Sequence, residues 1–405
     1  MSIDEIQQVA GDQNTLDAVL ARVRPILAGL SAEAARRERE RELPLDAVRE
    51  LAAAGVGALR VPREYGGGGV SLRQLFELII EVADADPNVA QALRGHYGFV
   101  ESLLGLSGRD QWDRWFPRVA AGAIVGNATS ELGTTDLRTA QTRLRREGEL
   151  LLLDGEKFYS TGTLYADLVA VIATTDQDTR ASVVVPVGRP GVELVDDWDG
   201  FGQRLSASGA TRFHRVVVDE DEVQSADWED APPNHLVPFF QLFLAGVQAG
   251  IGRTVQRDVI EVVRTRRRTY GTASAETPRE DHLVLQVVGE IAADAFAAEA
   301  VVLAAADRLD RAYATTLTGT PDPAEHLNAA IVVAETQTVV TRHVLAASEA
   351  LFDAGSASTT ERARNLDRHW RNTRTLASHN PLIYKARVVG DYLVNQARPA
   401  FSGYL

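Results

Sequence analysis

Asp154-Gly-Glu-Lys-Phe-Tyr-Ser-Thr-Gly162 decides how this chain of 405 residues is read. It closes a run of β-prone residues that starts at Leu150, and Asp154-Gly155 has the composition of a tight turn. If the strand continues past it, Phe158 and Tyr159 face opposite sides. One ring then packs inward while the other meets a flat ligand, and the hydroxyls of Ser160 and Thr161 can bond that ligand's polar edge. Taken by itself, the stretch is just as well an ordinary strand.

Upstream, Gly126-Asn-Ala-Thr-Ser-Glu-Leu-Gly-Thr-Thr-Asp136 gathers hydroxyls and backbone N–H groups around a turn. That donor set suits a heteroaromatic ring or a phosphate, although a Ser/Thr-rich surface loop is the plainer local reading. Short β-prone stretches at 122–128, 141–146, 150–157, 168–174, 181–187 and 211–218 predict an antiparallel barrel or sandwich. Helical periodicity precedes them at 16–30, 33–54, 72–83 (capped by Ser71), 87–104 and 112–121. Long Ala-rich segments at 236–268, 282–313, 324–353 and 381–393 follow and read as a bundle. The expected class is α+β: a helical N-terminal domain over 1–123, a central β domain over 124–234 and a C-terminal helical bundle over 235–405.

Composition narrows the function. With 42 Lys plus Arg against 56 Asp plus Glu, the net charge of -14 argues against a nucleic-acid partner. The absence of Cys removes disulfides, thiolate metal sites and a cysteine nucleophile. No apolar run reaches membrane-spanning length and the N-terminus is polar, so no membrane partner and a cytoplasmic location are expected. His214, His235, His282, His326, His343 and His369 are scattered, and no metal site is expected.

Four stretches in this order resemble the acyl-CoA dehydrogenase superfamily: Ser130-Glu-Leu-Gly133, Asp154–Gly162, Phe201-Gly-Gln-Arg-Leu-Ser-Ala-Ser-Gly209 and Arg267-Arg-Thr-Tyr-Gly271. The resemblance covers essentially the whole chain. It implies a flavin held by Asn127, Thr129, Ser130, Tyr159, Ser160 and Thr161, with Arg267 or Arg268 reaching the flavin phosphate across a subunit interface. It also implies a homotetramer.

The dehydrogenases of the family often carry their base in a late Tyr-Glu-Gly segment, and none is present here. Asp367-Arg-His-Trp-Arg-Asn-Thr-Arg374 and Ser378-His-Asn-Pro381 instead resemble the branch typified by dibenzothiophene monooxygenase. That branch implies reduced FMN (FAD being the alternative) supplied by a separate NAD(P)H-dependent flavin reductase. It implies reaction with oxygen through a C4a-(hydro)peroxyflavin and oxygenation of a small organic sulfur or nitrogen compound. By the same comparison His96, Thr161 and His379 are catalytic, and His96, Tyr159, Trp198 and Leu376 line the substrate pocket. Leu376 stands where some members have another histidine. Without the family, His96 reads as a structural or exposed helix residue and His379 as a cap. Arg371 either holds phosphate or a subunit contact, or joins an ion-pair network around Asp367. The competing function is an FAD-dependent acyl-CoA dehydrogenase with Glu349 or Glu361 as its base. The tail from Asn395, with Pro399, Phe401 and Tyr404, either crosses to a partner or is an ordinary terminus.

Overall fold

A computed structural model describes residues 3–133, 140–226 and 234–399; Thr134, Thr135, Asp136, Phe401 and Tyr404, named above, lie outside the described residues. The chain begins with α1 (Ile3–Glu40) and α2 (Leu45–Ala53). α1 runs unbroken through the expected gap near residue 31, because Leu16, Val19, Leu20, Val23, Leu27 and Leu30 form one buried stripe at helical spacing. α3 (Leu72–Ala85) starts at a capping box in which the Ser71 hydroxyl accepts from Gln74 N–H while the Gln74 side chain accepts from Ser71 N–H. The helix expected over 87–104 is two, α4 (Pro87–Ala92) and α5 (Arg94–Leu106), with a corner at Leu93. α6 (Arg109–Ala120) closes the first helical layer.

The middle of the chain is a mixed sheet. Its strands are β1 (Val125–Ala128), β2 (Arg143–Glu147), β3 (Leu150–Lys157), β4 (Leu168–Thr175), β5 (Arg180–Pro186), β6 (Val192–Leu194), β7 (Thr211–Val218) and β8 (Val223–Ser225). They lie in the order β6-β7-β3-β2-β4-β5-β8, with β1 beside β4. The antiparallel expectation needs correction, because β1 and β2 both run parallel to β4. β2 and β3 form a tight hairpin closed through Gly148 at φ +62°, and β4 and β5 a hairpin closed between Thr175 and Thr179. Asp154-Gly155 is not a turn. It forms a bulge inside β3, where the register against β7 shifts and the Asp154 carboxylate accepts Arg215 N–H at 2.8 Å. Leu144, Leu153, Val169, Val171, Val183 and Phe213 form a small core on one side.

α7 (Leu236–Thr265), α8 (His282–Leu317), α9 (Pro323–Ala354), α10 (Arg368–Ser378) and α11 (Leu382–Asn395) make the C-terminal helices. α7 is long and apolar enough to cross a membrane, yet 83% of its most apolar window is buried inside the protein. Its buried face packs on α3 as well as on α8 and α9, so one apolar core runs through both helical layers. A buried ionic cluster ties them further. Arg60 pairs with Glu101, whose other oxygen meets His235 at 2.7 Å, just before α7. Ala295, Ala298, Ala305 and Ala306 let α8 approach its neighbours closely.

Candidate active site

Beyond Lys157 the chain leaves the sheet. Phe158 N–H still bonds Ser130 O at 2.8 Å, which brings the two flavin-like stretches side by side. Tyr159 then takes φ +56° and Thr161 N–H folds back to Tyr159 O, so the expected strand alternation stops there. The turn throws the Tyr159 ring outward, 52% exposed, edge-on to Trp198 at 6.0 Å. Trp198 is held by its indole N–H, which donates to Gln203 O at 3.0 Å. Beside this aromatic pair the Thr161 hydroxyl bonds Ser208 Oγ (2.9 Å), Ser208 bonds Ser206 Oγ (2.8 Å), and Ser206 donates to Gln203 O.

Two polar side chains in this wall lack partners among the described residues. Ser160 Oγ is fully buried and unbonded, and both amide atoms of Gln203, a residue 3% exposed, are likewise unbonded. Asn127, Thr129 and Ser130 are half-buried at the end of β1, with the Thr129 hydroxyl donating to Asn127 Oδ1. The corner between α4 and α5 closes onto the same wall. Gly162, at φ +84°, lets Ala92 O approach to where a methyl would lie 2.1 Å away, and Gly95 packs on Asn127. Unpaired polar atoms, a hydroxyl chain and an exposed tyrosine against a half-buried tryptophan fit the polar edge and flat face of a flavin ring.

The structure separates the other expected site residues. His379 ends α10, where its N–H bonds Leu376 O. Its imidazole is open to solvent, yet surrounding protein lowers its pKa, and the positive charges of Arg94 and Lys385 push the same way. It is therefore neutral at rest. His96 is fully buried: Nε2 lies 2.9 Å from Gly57 O and Nδ1 lies 3.2 Å from Val125 N. This pairing fits a neutral ring donating to Gly57 O and accepting from Val125 N–H, and burial lowers its pKa to about 4. Both nitrogens thus contact backbone groups. Leu376 is 3% exposed and packs in the apolar core.

Arg371 lies in an ion-pair network that includes Asp367. Its guanidinium donates to Glu38, Asp367, Asn365 Oδ1 and Phe201 O, which occupies four of its five N–H groups. Arg267 and Arg268 lie exposed just beyond α7 with no side-chain partner among the described residues, whereas Arg266 is bound to Ala354 O and Gly355 O. A groove of about 620 Å³ between α1, α7 and α10 lies elsewhere. Within its lining Arg257 pairs with Asp84, and both Arg368 and His369 pair with Asp258.

Several residues of the wall were missed from the sequence. Lys157 is completely buried and pairs with Glu131 at 2.6 Å. Ser206 and Ser208 stand in a motif already singled out, but only the folded loop, with Gln203 and Ala207 at positive φ, aims them at Thr161. Arg94, whose charge acts on His379, had no local signal other than the lack of an acid one helical turn away.

Residues 14–123 match the acyl-CoA dehydrogenase N-terminal domain and residues 242–382 the acyl-CoA dehydrogenase C-terminal domain. The chain is 28% identical over 364 residues to a probable FMNH2-dependent monooxygenase, SfnC, of Pseudomonas putida, covering 89% of each. Its structure is similar to that of the dibenzothiophene monooxygenase TdsC of Paenibacillus sp. A11-2 with FMN and indole, with a TM-score of 0.88, 27% identity and coverage of 96% of this chain and 99% of that one. Similarity to the methanesulfinate monooxygenase MsuC of Pseudomonas fluorescens is comparable, with a TM-score of 0.86, 28% identity and coverage of 95% and 99%. The chain belongs to the acyl-CoA dehydrogenase family and resembles, over nearly its whole length, members of its flavin-dependent monooxygenase branch.

Proposed function

We propose that this protein is the oxygenase component of a two-component system. It takes reduced FMN from an NAD(P)H-dependent flavin reductase and uses oxygen to oxygenate a small organic sulfur or nitrogen compound. The observation that carries this over dehydrogenation is the composition of the wall. Thr161, Ser208, Tyr159 and Trp198 are gathered there, and no carboxylate among the described residues bonds any of their side chains. Of the two candidate bases, Glu349 is exposed on α9, and Glu361 is exposed with Arg364 as its ion-pair partner.

Asn127, Thr129, Ser130, Ser160 and Thr161 hold the polar edge of the flavin ring, and Arg267 or Arg268 holds its phosphate from a neighbouring subunit. Bound reduced FMN supplies two electrons to O2, one atom of which goes to the substrate while the other leaves as water. Tyr159 and Trp198 seat the substrate and keep water out. His379, neutral at rest, accepts and returns a proton beside the bound substrate. His96 acts through position alone, fixing the loop at Gly57 to β1. Assembly as a homotetramer is supported by large apolar side chains left exposed on α8 (Leu283, Leu285, Phe296) and α11 (Ile383, Leu393, Val394). A cytoplasmic location, where a reductase and NAD(P)H are at hand, completes the proposal.

The test supplies FMN, a flavin reductase and NADH, then measures oxygen consumed, peroxide released and oxygenated product over a panel of sulfides, sulfinates and amines. The expected result is substrate-dependent product with 18O incorporated from 18O2. Reduction of enzyme-bound FAD by an acyl thioester, with no oxygen incorporated into any substrate, would establish the dehydrogenase instead.

A further inference from the structure

Arg37, Arg60, Arg189, Arg253, Arg368 and Arg371, all buried or half-buried, each face a carboxylate. Arg94 does not. It is half-buried at the start of α5, donates from Nε to Phe240 O at 3.3 Å, and stacks its guanidinium 4.8 Å from the centre of the Phe240 ring. Phe240 is itself fixed, since its edge fits over Gly98, one turn further along α5. The two terminal nitrogens of Arg94 have no partner among the described residues. Burial without a compensating charge lowers its pKa to about 10, so it remains cationic at neutral pH. A desolvated cation of this kind is stabilised by an anion that arrives from outside.

Its position is next to the chemistry. Ala92, two residues earlier, meets Gly162, and Gly95, the next residue, packs on Asn127. The surrounding protein and, after it, the positive charge of Arg94 lower the pKa of His379. Arg94 thus offers a planar fork of donors beside an aromatic platform, no carboxylate among the described residues pairs with it, and its charge reaches the His379 imidazole.

We propose that Arg94 selects the substrate, its terminal N–H groups binding the oxygen atoms of a small oxyanion of the sulfinate type against Phe240 with His379 alongside. This rests on the monooxygenase reading and narrows its substrate class from small sulfur or nitrogen compounds to anionic ones.

The experiment is calorimetric titration of the FMN-loaded protein with sodium methanesulfinate and with dimethyl sulfone, which has the same SO2 group without the charge. Wild type should bind the sulfinate. Arg94→Met should weaken that binding by about 10- to 100-fold, the loss expected for a charge-assisted pair of hydrogen bonds, and leave the sulfone and FMN affinities unchanged. Arg94→Gln, which keeps polarity and drops the charge, should repeat the result and serves if the methionine variant does not fold. No sulfinate binding by wild type, equal weakening of both probes, no change in either, or a loss of FMN affinity in Arg94→Gln overturns the proposal. The last outcome would assign the guanidinium to the flavin. Because binding is read without turnover, a protein that binds sulfinate through Arg94 but oxygenates nothing would sink the monooxygenase reading alone. One that oxygenates neutral sulfides and ignores Arg94 would sink only this inference.

Discussion

Glu131 and Lys157 meet in an ion pair of 2.6 Å, with the lysine side chain fully buried and the glutamate 6% exposed. The pair joins two stretches 26 residues apart, and the carboxylate also accepts Gln141 N–H, Thr142 N–H and the Thr142 hydroxyl. One carboxylate therefore holds the end of β1, the entry to β2 and the end of β3 around the place assigned to the flavin. A buried ammonium is tolerable only with such a partner.

Removing that partner should be severe. Glu131→Gln leaves the Lys157 charge buried with only neutral acceptors, and a loss of about 3 kcal/mol is expected from breaking one side of a buried pair. Calorimetry or denaturant titration would read it, together with weaker FMN binding. Burial pushes the Glu131 carboxyl upward, but the Lys157 ammonium and the three donors outweigh it, so its pKa lies below the ordinary 4.5. A depressed carboxyl contributes stability above the unfolded value and loses it as pH falls through the folded one. The wild type should accordingly shed this contribution only below about pH 4, a step absent from Glu131→Gln. Equal acid stability of the two proteins would remove the pair from this role.

The arginines divide into two classes with opposite readouts. Charge reversal at Arg267 or Arg268, both exposed and without an ion-pair partner among the described residues, should weaken FMN binding about tenfold or more for whichever reaches the phosphate, with no change in melting temperature. Arg371→Ala should do the reverse, because it strands the buried Glu38 carboxylate, at a loss of about 3 kcal/mol. If Arg371→Ala lost FMN affinity while keeping full stability, the assignments would have to be exchanged.

The two histidines should also separate. His96→Ala leaves Gly57 O and Val125 N–H unpaired and should destabilise the protein by about 2–4 kcal/mol, while the surviving enzyme keeps its ratio of product to peroxide. His379→Ala should leave stability nearly unchanged and raise peroxide release at the expense of product. Since the His379 pKa lies below its ordinary value, wild-type coupling should be flat from about pH 6 upward, its imidazole being already neutral. A sigmoidal rise centred near pH 6.5 would contradict the lowered pKa, and unchanged coupling in His379→Ala would take the residue out of the chemistry.

What could be read in the sequence depended on how local its cause was. The stripe from Leu16 to Leu30 and the Ser71 cap are fixed by neighbours a few residues away, and β3 and β7 have the bounds their composition predicts. The bulge at Asp154-Gly155 was read as a turn because the same dipeptide serves both. What decides is Arg215 N–H, 61 residues distant. The parallel placement of β1 and β2 on β4 likewise has no local marker, since pairing between distant strands leaves no turn residue to identify it. In the site, the order of the flavin-like stretches pointed to Thr161 and Tyr159, but it could not show that His96 spends both nitrogens on backbone. Arg94 did leave a trace: the positions three and four residues away on either side are Ala90, Gln91, Tyr97 and Gly98, so no helical neighbour supplies an acid.

The hydroxyl chain gives the finest test of the wall. Ser206 donates to Gln203 O, so Ser208 donates to Ser206 and Thr161 to Ser208, which leaves the Thr161 oxygen, also 3.4 Å from Tyr159 O, to accept from a flavin edge. Thr161→Val keeps the β-branched shape and deletes only the hydroxyl. It should preserve the fold, shift the visible spectrum of bound FMN, and lower product per oxygen consumed. Ser208→Ala should give the same spectral shift in weaker form, because it acts by freeing the Thr161 hydroxyl to rotate without removing it. If Ser208→Ala changed coupling as much as Thr161→Val with no spectral shift in either, the chain would be serving the packing of the 201–210 loop, and Thr161 would have no direct part at the flavin.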